Sequence, residues 1–417
     1  MGLREIGLDI TDEHAAIWKT TKEFVTNVWR PADIELDQMS DPEDVIAEGS
    51  VLWDVVRKSH QLGYHALGFP RAYGGGELDP LGGALVGEAF GWASPGLGTS
   101  VGVSAFPFML CMFSPESELQ DYARKFCADT EGKMMGCWAN MEPDHGSDWL
   151  LEEFDKPACA PNVTATLDGD HYILNGQKAQ WVSNGTIAKY ASMNVVFDWA
   201  KGKLGIAFVP LDLPGISRGK PLNKLGKRAM NQGEIFFDDV KLPKQYMVAS
   251  DPESYRMISD TLLCTANCQM GNLYVGVTLS AFEEALAYAK KRIQGGKPII
   301  EHHNIKLKLC EMFTQLEASR SLARRVQVYN MEMMNQKKPP AIHYAAISKT
   351  FCTETAFRVA HEAMQIHGGN GITKDFLIEK IFRDARMSLI EDCTSDILSI
   401  HAMNQLKKGP SKYFIQK

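Results

Sequence analysis

A chain of 417 residues is longer than one ordinary hydrophobic core supports and predicts two or three domains. Its 45% hydrophobic and 23% charged residues are those of an ordinary globular protein, and a net charge of −7 with a pI near 5.9 argues against nucleic acid as a partner. Nine cysteines, an odd number without a Cys-x-x-Cys pair, fit a reduced intracellular protein and give no zinc or other metal site. The acidic start matches neither a signal nor a transit peptide, Gly2 has Ile6 where a myristoylation site needs Ser or Thr, and Phe414 to Lys417 spell no known address. The expectation is a soluble cytoplasmic protein.

In chain order, Thr11 to Val28 reads as an amphipathic helix, with Thr11 and Asp12 as caps and Ala15, Ile17, Trp18 and Phe24 as apolar positions. A polar segment follows, then a helix at roughly Ser50 to Leu62 and a Gly-rich loop, Gly63 to Gly76. Ala89 to Pro115 carries no charge and is long enough to raise a membrane span. However, Pro95, Pro107 and four glycines break it, and its flanks are acidic. Two short buried helices are predicted instead, and walls of a cavity or plain core weigh equally as their role.

From Gly136 the pattern changes to strands. Val163, Ala165 and Leu167 alternate, Asp168-Gly169-Asp170 turns, and Tyr172 to Leu174 returns. Ile206 to Val209 and Ile235 to Phe237 complete a β unit ending near Val248. Helices resume at about Asp260, with Gly271 and Gly276 predicting a close helix crossing and Cys264 and Cys268 as core residues.

A helix from Ile305 to Asn330 buries Leu309, Met312, Leu316 and Val326, and Lys337 to Pro340 breaks the chain. The next helix presents Ile347, Phe351, Val359, Ala363 and Ile366 and stops on Gly368 and Gly369. A helix from roughly Asp375 to Arg386 then leads to adjacent carboxylates, Glu391 and Asp392, and Cys393, Thr394 and Ser395 precede a terminal helix. Four of these helices are expected to form an antiparallel bundle, and His302-His303 is read as structural.

Several of these stretches form a pattern together. QIHGGNG from Gln365, EKIFRDAR from Glu379 and a carboxylate shortly before Thr394-Ser395-Asp396-Ile397 resemble the C-terminal signature of the acyl-CoA dehydrogenase family. Upstream, GCWANMEPDHGSDW resembles that family's T-E-P-x-x-G-S-D loop, and LNGQKAQWVSNG its N-G-x-K-x-W-I-T-N-G segment. The run from Arg292 to Pro298 is similar to its R-x-x-F-G-K loop, and Gly63 to Gly76 to its loop toward the substrate domain.

The resemblance covers nearly the whole chain. It implies a mainly α fold with a central β domain: an N-terminal helical domain (1–134), a middle β-barrel-like domain (135–250) and a C-terminal four-helix bundle (251–417). It further implies FAD as cofactor, an acyl-CoA substrate, an electron-transfer flavoprotein as acceptor, and a homo-oligomer, expected as a tetramer.

The resemblance also assigns residues. Phosphate needs converging N–H groups and a short hydroxyl, which Gly146 and Ser147 offer; Trp181 would pack on the flavin and Ser183 reach its N5 side. Trp138, Gln294, Thr394 and Asp396 take further cofactor-binding places, and Arg292, Gln365, Gly368 and Gly369 would serve the FAD of a neighbouring subunit. Met141 stands where relatives carry a flavin-contacting threonine, and His145 beside the phosphates either donates to them or faces solvent.

Relatives remove a proton alpha to the thioester carbonyl with a glutamate, and bind that carbonyl through a flavin ribityl hydroxyl and a backbone N–H beside the base. The gapless register places Asp392 on that glutamate and Glu391 on the preceding position, often an aromatic lining the pocket. Asp392 is therefore the expected base, with Glu391 in reserve. The shorter side chain draws the carboxylate back by about 1.5 Å, one C–C bond, which suggests an atypical cyclic or branched acyl group. Ala266-Asn267-Cys268 offers no carboxylate for the variant that places its base on the earlier helix. The same scaffold could also be an oxidase, an eliminating enzyme or a carrier-protein-linked acyl oxidase. A non-catalytic binding protein would need a basic face, which the acidic balance disfavours.

Overall fold

The structure, a computed structural model, describes residues 10–150, 162–198 and 203–408. Gly2, Ile6 and the segment from Phe414 to Lys417 lie outside them. The chain begins with α1 (Asp12–Phe24), capped by the Thr11 side chain, which accepts from the His14 N–H at 3.2 Å. A π-helical turn (Val25–Trp29) carries it directly into α2 (Arg30–Gln38), and then come α3 (Pro42–Ile46) and α4 (Val51–Gln61).

The segment after Val28, expected as merely polar, is thus helical. Ala32 and Leu36 bury its apolar side, while its buried Asp33 and Asp37 pair with Lys380 and Arg383 of the C-terminal region. The charge that disguised this helix is neutralised by partners 346 and 347 residues away.

The uncharged stretch forms the end of α5 (Pro80–Ala93) and then two short helices, α6 (Pro95–Ser104) and α7 (Phe106–Cys111), and all three start at or beside a proline. They are predominantly buried, and α8 (Ser117–Cys127) closes the helical region.

Eight strands follow: β1 (Gly136–Trp138), β2 (Thr164–Asp168), β3 (His171–Lys178), β4 (Tyr190–Asp198), β5 (Lys203–Pro210), β6 (Ile216–Arg218), β7 (Ile235–Pro243) and β8 (Met247–Ala249). They form one sheet in the order β6-β7-β3-β2-β4-β5-β8, with β1 parallel to β4. Val163 and Ala165 are buried as the alternation predicts, but Leu167, one pair from the turn of the β2–β3 hairpin, is 51% exposed. Phe108 and Phe126 from the helices pack in one core with Phe208 and Val209 from the sheet, so this sheet face is sealed by α7 and α8.

The C-terminal region contains α9 (Pro252–Lys291), the short hairpin β9 (Ile293–Gln294) and β10 (Lys297–Pro298), α10 (His303–Asn335), α11 (Ile342–His367), α12 (Leu377–Met387) and α13 (Ser395–Lys408). The first starts earlier than expected because Asp251 caps it, accepting from the N–H groups of Glu253 and Ser254. Gly276 brings α9 against α5: a Cβ there would lie 2.0 Å from the Glu88 carbonyl oxygen. Beside this crossing the buried Glu88 carboxylate receives Arg320 and Arg324 of α10 at 2.7 and 2.8 Å. α11 stops at Gly368, whose φ of 58° an L side chain would resist.

Candidate active site

The acid pair lies between α12 and α13, on a turn whose position is set from below. Lys380 of α12 bridges Asp33 of α2 and its own helix neighbour Asp384, the latter at 2.6 Å, while Arg383 forks onto Asp37 at 2.6 and 2.9 Å. Asp384 reaches onward and accepts the backbone N–H of Lys227 at 2.6 Å. Lys227 sits with φ of 50° in the segment between β6 and β7, and its side chain is fully buried. Its ammonium donates to Thr99 Oγ1 of α6 at 2.7 Å and to Glu391 Oε2. Glu391 Oε1 is buried with no hydrogen-bond partner among the described residues.

Asp392 and Cys393 follow with φ of 47° and 73°, two consecutive non-glycine residues in left-handed conformations. Such backbone persists only where its surroundings hold it. Here the buried Lys349 of α11 does so, its ammonium donating to the Cys393 carbonyl at 2.8 Å. Burial pulls the Lys349 pKa down to about 8, opposed first by Asp392.

Among the described residues nothing hydrogen-bonds the Asp392 carboxylate. Desolvation pushes its pKa above the ordinary value, Glu391 pushes the same way, and Lys227 and Lys349 oppose. A half-buried, untied carboxylate of raised proton affinity is what a general base requires. Glu391, by contrast, is engaged in an ion pair.

The loop after β1 approaches the same turn: the Thr394 N–H donates to Ser147 Oγ at 3.2 Å. That loop is held by Glu142, which is fully buried and accepts from the Val163 N–H at 3.1 Å, the Asn162 N–H and Lys178 Nζ at 2.7 Å. His145, for which phosphate contact or solvent were the two expectations, pairs with Asp148 at 2.8 Å. Trp138 stacks on Phe106 at 5.0 Å and meets Trp149 edge-on. The Met141 carbonyl accepts from the Ala179 N–H at 2.9 Å, bringing this loop to the turn carrying Trp181.

Trp181 is not a core residue of a strand. It sits in the turn after β3 with 40% of its surface exposed, a large flat apolar side chain available to a ligand. Gln232 holds this turn, donating to the Trp181 carbonyl at 2.9 Å and to Ser183 Oγ at 3.3 Å. Gln232 and Lys227 belong to one segment, five residues apart, so no more than about 18 Å of chain separates the Trp181 turn's anchor from the acid turn's anchor. Asn184 ties the turn to α6, donating to the Ser100 carbonyl at 2.9 Å and to Ser104 Oγ at 3.1 Å.

The remaining predicted cofactor residues gather elsewhere. Arg292, Gln294, Gln365, Gly368 and Gly369 line, with Tyr288, a cleft of about 790 Å³ at the other ends of α9 and α11. Neither Ser147 nor Trp181 lines it. Asp396 is exposed in the first turn of α13. The residues fit FAD: a Cβ at Gly146, Gly368 or Gly369 would meet nothing within 4 Å, so main chain is open to a ligand at both places, and Ser147 and Arg292 supply phosphate-binding chemistry. Among the described residues no group of three His, Cys, Asp or Glu could hold a metal, and no helix is long and apolar enough to cross a membrane.

Comparison with known proteins decides the family. The bovine (Bos taurus) mitochondrial short-chain specific acyl-CoA dehydrogenase is 30% identical over 409 residues, covering 96% of this chain and 92% of the relative. This chain belongs to the acyl-CoA dehydrogenase family. Profiles of the acyl-CoA dehydrogenase N-terminal, middle and C-terminal domains match residues 11–130, 137–240 and 268–406. As a member it is an oxidoreductase, of the class that acts on the CH–CH group of acyl-CoA donors.

The cyclohex-1-ene-1-carbonyl-CoA dehydrogenase of Geobacter metallireducens is 27% identical over 400 residues, covering 93% of this chain and 96% of the relative. The fold is that of the butyryl-CoA dehydrogenase from Megasphaera elsdenii, with a TM-score of 0.84 at 23% identity, covering 96% of this chain and 99% of that one. The expected arrangement of helical, β and helical domains is therefore the observed one.

Three site residues escaped the sequence reading: Lys227, Lys349 and Gln232. Lys349 carried a signal, since it falls in helical phase with the buried Ala345, Ala346, Cys352 and Ala356. Ile347, assigned to that buried stripe, is instead 42% exposed.

Proposed function

We propose that this acyl-CoA dehydrogenase family member oxidises an acyl-CoA to the enoyl-CoA using FAD, with Asp392 removing the proton alpha to the thioester carbonyl. The reading is carried by the Asp392 carboxylate: desolvated, free of hydrogen bonds among the described residues, and faced by two buried lysines whose charge favours its anion. Substrate entry removes further water and raises its proton affinity again, strengthening the base when it is needed. A backbone N–H beside Asp392 would polarise the thioester carbonyl and stabilise the enolate that proton removal creates.

FAD, when bound, supplies the hydride acceptor. Ser147 and Gly146 would hold its phosphates, Trp181 its ring, and Ser183 would offer a hydroxyl at the ring's edge. Glu142 and Lys178 keep that loop in place, and Gln232 holds the Trp181 turn. The cleft at Arg292, Gln365, Gly368 and Gly369 would serve FAD of a second copy, which supports a homo-oligomer, a tetramer on the family pattern. An electron-transfer flavoprotein would take the electrons.

The acyl group we propose is cyclic or branched. The aspartate is one methylene shorter than the usual glutamate, and the cyclohexenoyl-CoA dehydrogenase is among the relatives. The test is an anaerobic absorbance titration with butyryl-CoA and cyclohexanecarbonyl-CoA. The protein should carry yellow FAD that the cyclic thioester bleaches more readily, and Asp392→Asn should keep the colour and lose the bleaching. Protein purified without flavin, or equal bleaching by Asp392→Asn, contradicts the proposal.

A further inference from the structure

Proton removal by Asp392 needs one carboxylate, yet the site holds two, on adjacent residues. An uncompensated second carboxylate would drive the pair to share a single charge, leaving which of them is protonated undefined. What prevents this is Lys227, which contributes no atom to the reaction described above.

Its placement is built from four directions. Asp384 of α12 fixes its backbone N–H at 2.6 Å, and Thr99 of α6 takes one ammonium proton at 2.7 Å. The Tyr274 ring of α9 lies 5.8 Å from Nζ, and Glu391 Oε2 closes the set. The side chain has no exposed surface. A lysine buried this completely is expensive to desolvate and persists only against a partner charge.

We propose that Lys227 is a positioning residue for catalysis: by fixing Glu391 as its ion-pair partner, it leaves Asp392 as the one carboxylate free to take the substrate proton. This rests on the assignment of Asp392 as base. The charged and titratable groups facing the acid turn are Glu391 and the Cys393 thiol on the turn itself, Lys227 and Lys224 from the segment between β6 and β7, Tyr274 from α9, Lys349 from α11 and Asp384 from α12. Lys349 donates to the Cys393 carbonyl, Lys224 to the Met230 carbonyl, and Asp384 is taken by Lys227 and Lys380, so Lys227 is the cation paired directly with Glu391.

The test uses the FAD-loaded protein and the pH dependence of anaerobic flavin reduction by cyclohexanecarbonyl-CoA, or by butyryl-CoA if that bleaches faster. Lys227→Met removes a positive charge and frees Glu391, both of which hold the proton on Asp392. The acid limb of the rate profile should move up by about one to two pH units, within the range by which a nearby opposite charge shifts a carboxylate.

Glu391→Gln does the reverse, leaving Lys227 unopposed, and should move the limb down. The double variant removes one charge of each sign and should return the limb toward the wild-type position. Thermal unfolding gives a readout independent of turnover: each single variant should lower the midpoint, and the double variant should recover part of the loss. If Lys227→Met does not fold, the double variant against Glu391→Gln decides: loss of Lys227 in that background should move the limb up, and a limb left in place overturns the proposal.

A merely structural lysine would lower the rate at every pH and leave the limb in place, and that result overturns the proposal. Failure of the underlying reading looks different, since Asp392→Asn would then bleach normally whatever the limb does.

Discussion

Lys178 and Glu142 make a buried ion pair whose removal should be felt at the proposed flavin site. Both side chains are fully buried, 2.7 Å apart. Burial pulls the Lys178 pKa down and Glu142 opposes it, so the lysine depends on its partner for its charge. Lys178 also donates to the Asn194 carbonyl at 2.8 Å, while Glu142 accepts the N–H groups of Asn162 and Val163. Lys178→Met leaves a carboxylate buried with only those two amides, and truncating one partner of such a pair costs about 3–5 kcal/mol, two to nearly four orders of magnitude in the folding equilibrium.

Glu142→Gln strands the ammonium and should cost a similar amount. The double variant should lose clearly less than the sum, because neither charge is then left alone. Urea unfolding followed by tryptophan fluorescence measures the three losses, and flavin fluorescence on release follows the loop carrying Gly146 and Ser147. Single variants within about 0.5 kcal/mol of wild type, the range of ordinary surface changes, would refute the reasoning.

Further outcomes follow from the same geometry. Gly276→Ala places a Cβ 2.0 Å from the Glu88 carbonyl oxygen and 2.5 Å from the Trp92 nitrogen, so α5 and α9 must separate; a loss of at least about 1–3 kcal/mol in chemical unfolding is expected. His65 is buried with its pKa lowered to about 4 by desolvation and by the stacked His60. Because the unfolded chain binds the proton first, stability is full above pH 6.5 and falls between pH 6.5 and about 4 by roughly 3 kcal/mol, and His65→Gln should flatten that part of the curve. Trp181→Ala removes the exposed indole proposed to face the flavin; FAD affinity by fluorescence titration should fall roughly 2- to 12-fold, from about 0.5–1.5 kcal/mol of lost ring contact.

Apolar periodicity made most of the C-terminal helices legible, and glycine placement located the α11 stop and the crossing at Gly276. What stayed hidden shares one cause: charge buried against a distant partner. Asp33 and Asp37 made a helix look like a polar connector because their cations lie on α12. Ile347 reads as core and is exposed, while Lys349 is buried on the same helix with its ammonium on the Cys393 carbonyl, 44 residues on. In the candidate site, the adjacent carboxylates and the loop motifs were readable from local spacing. The counter-ion that distinguishes Glu391 from Asp392 was not, since Lys227 is 164 residues away and nothing local marks it as buried.

The proposed chemistry requires that Asp392, not Glu391, takes the alpha proton. Single-turnover flavin reduction, measured by stopped-flow absorbance at pH 7 with the FAD-loaded protein, compares Asp392→Asn with Glu391→Gln directly. Asp392→Asn should slow reduction by about 10²–10⁴-fold, the usual contribution of a positioned base, while Glu391→Gln keeps a rate far closer to wild type. The reverse ranking, with Asp392→Asn still fast and Glu391→Gln inert, contradicts the assignment.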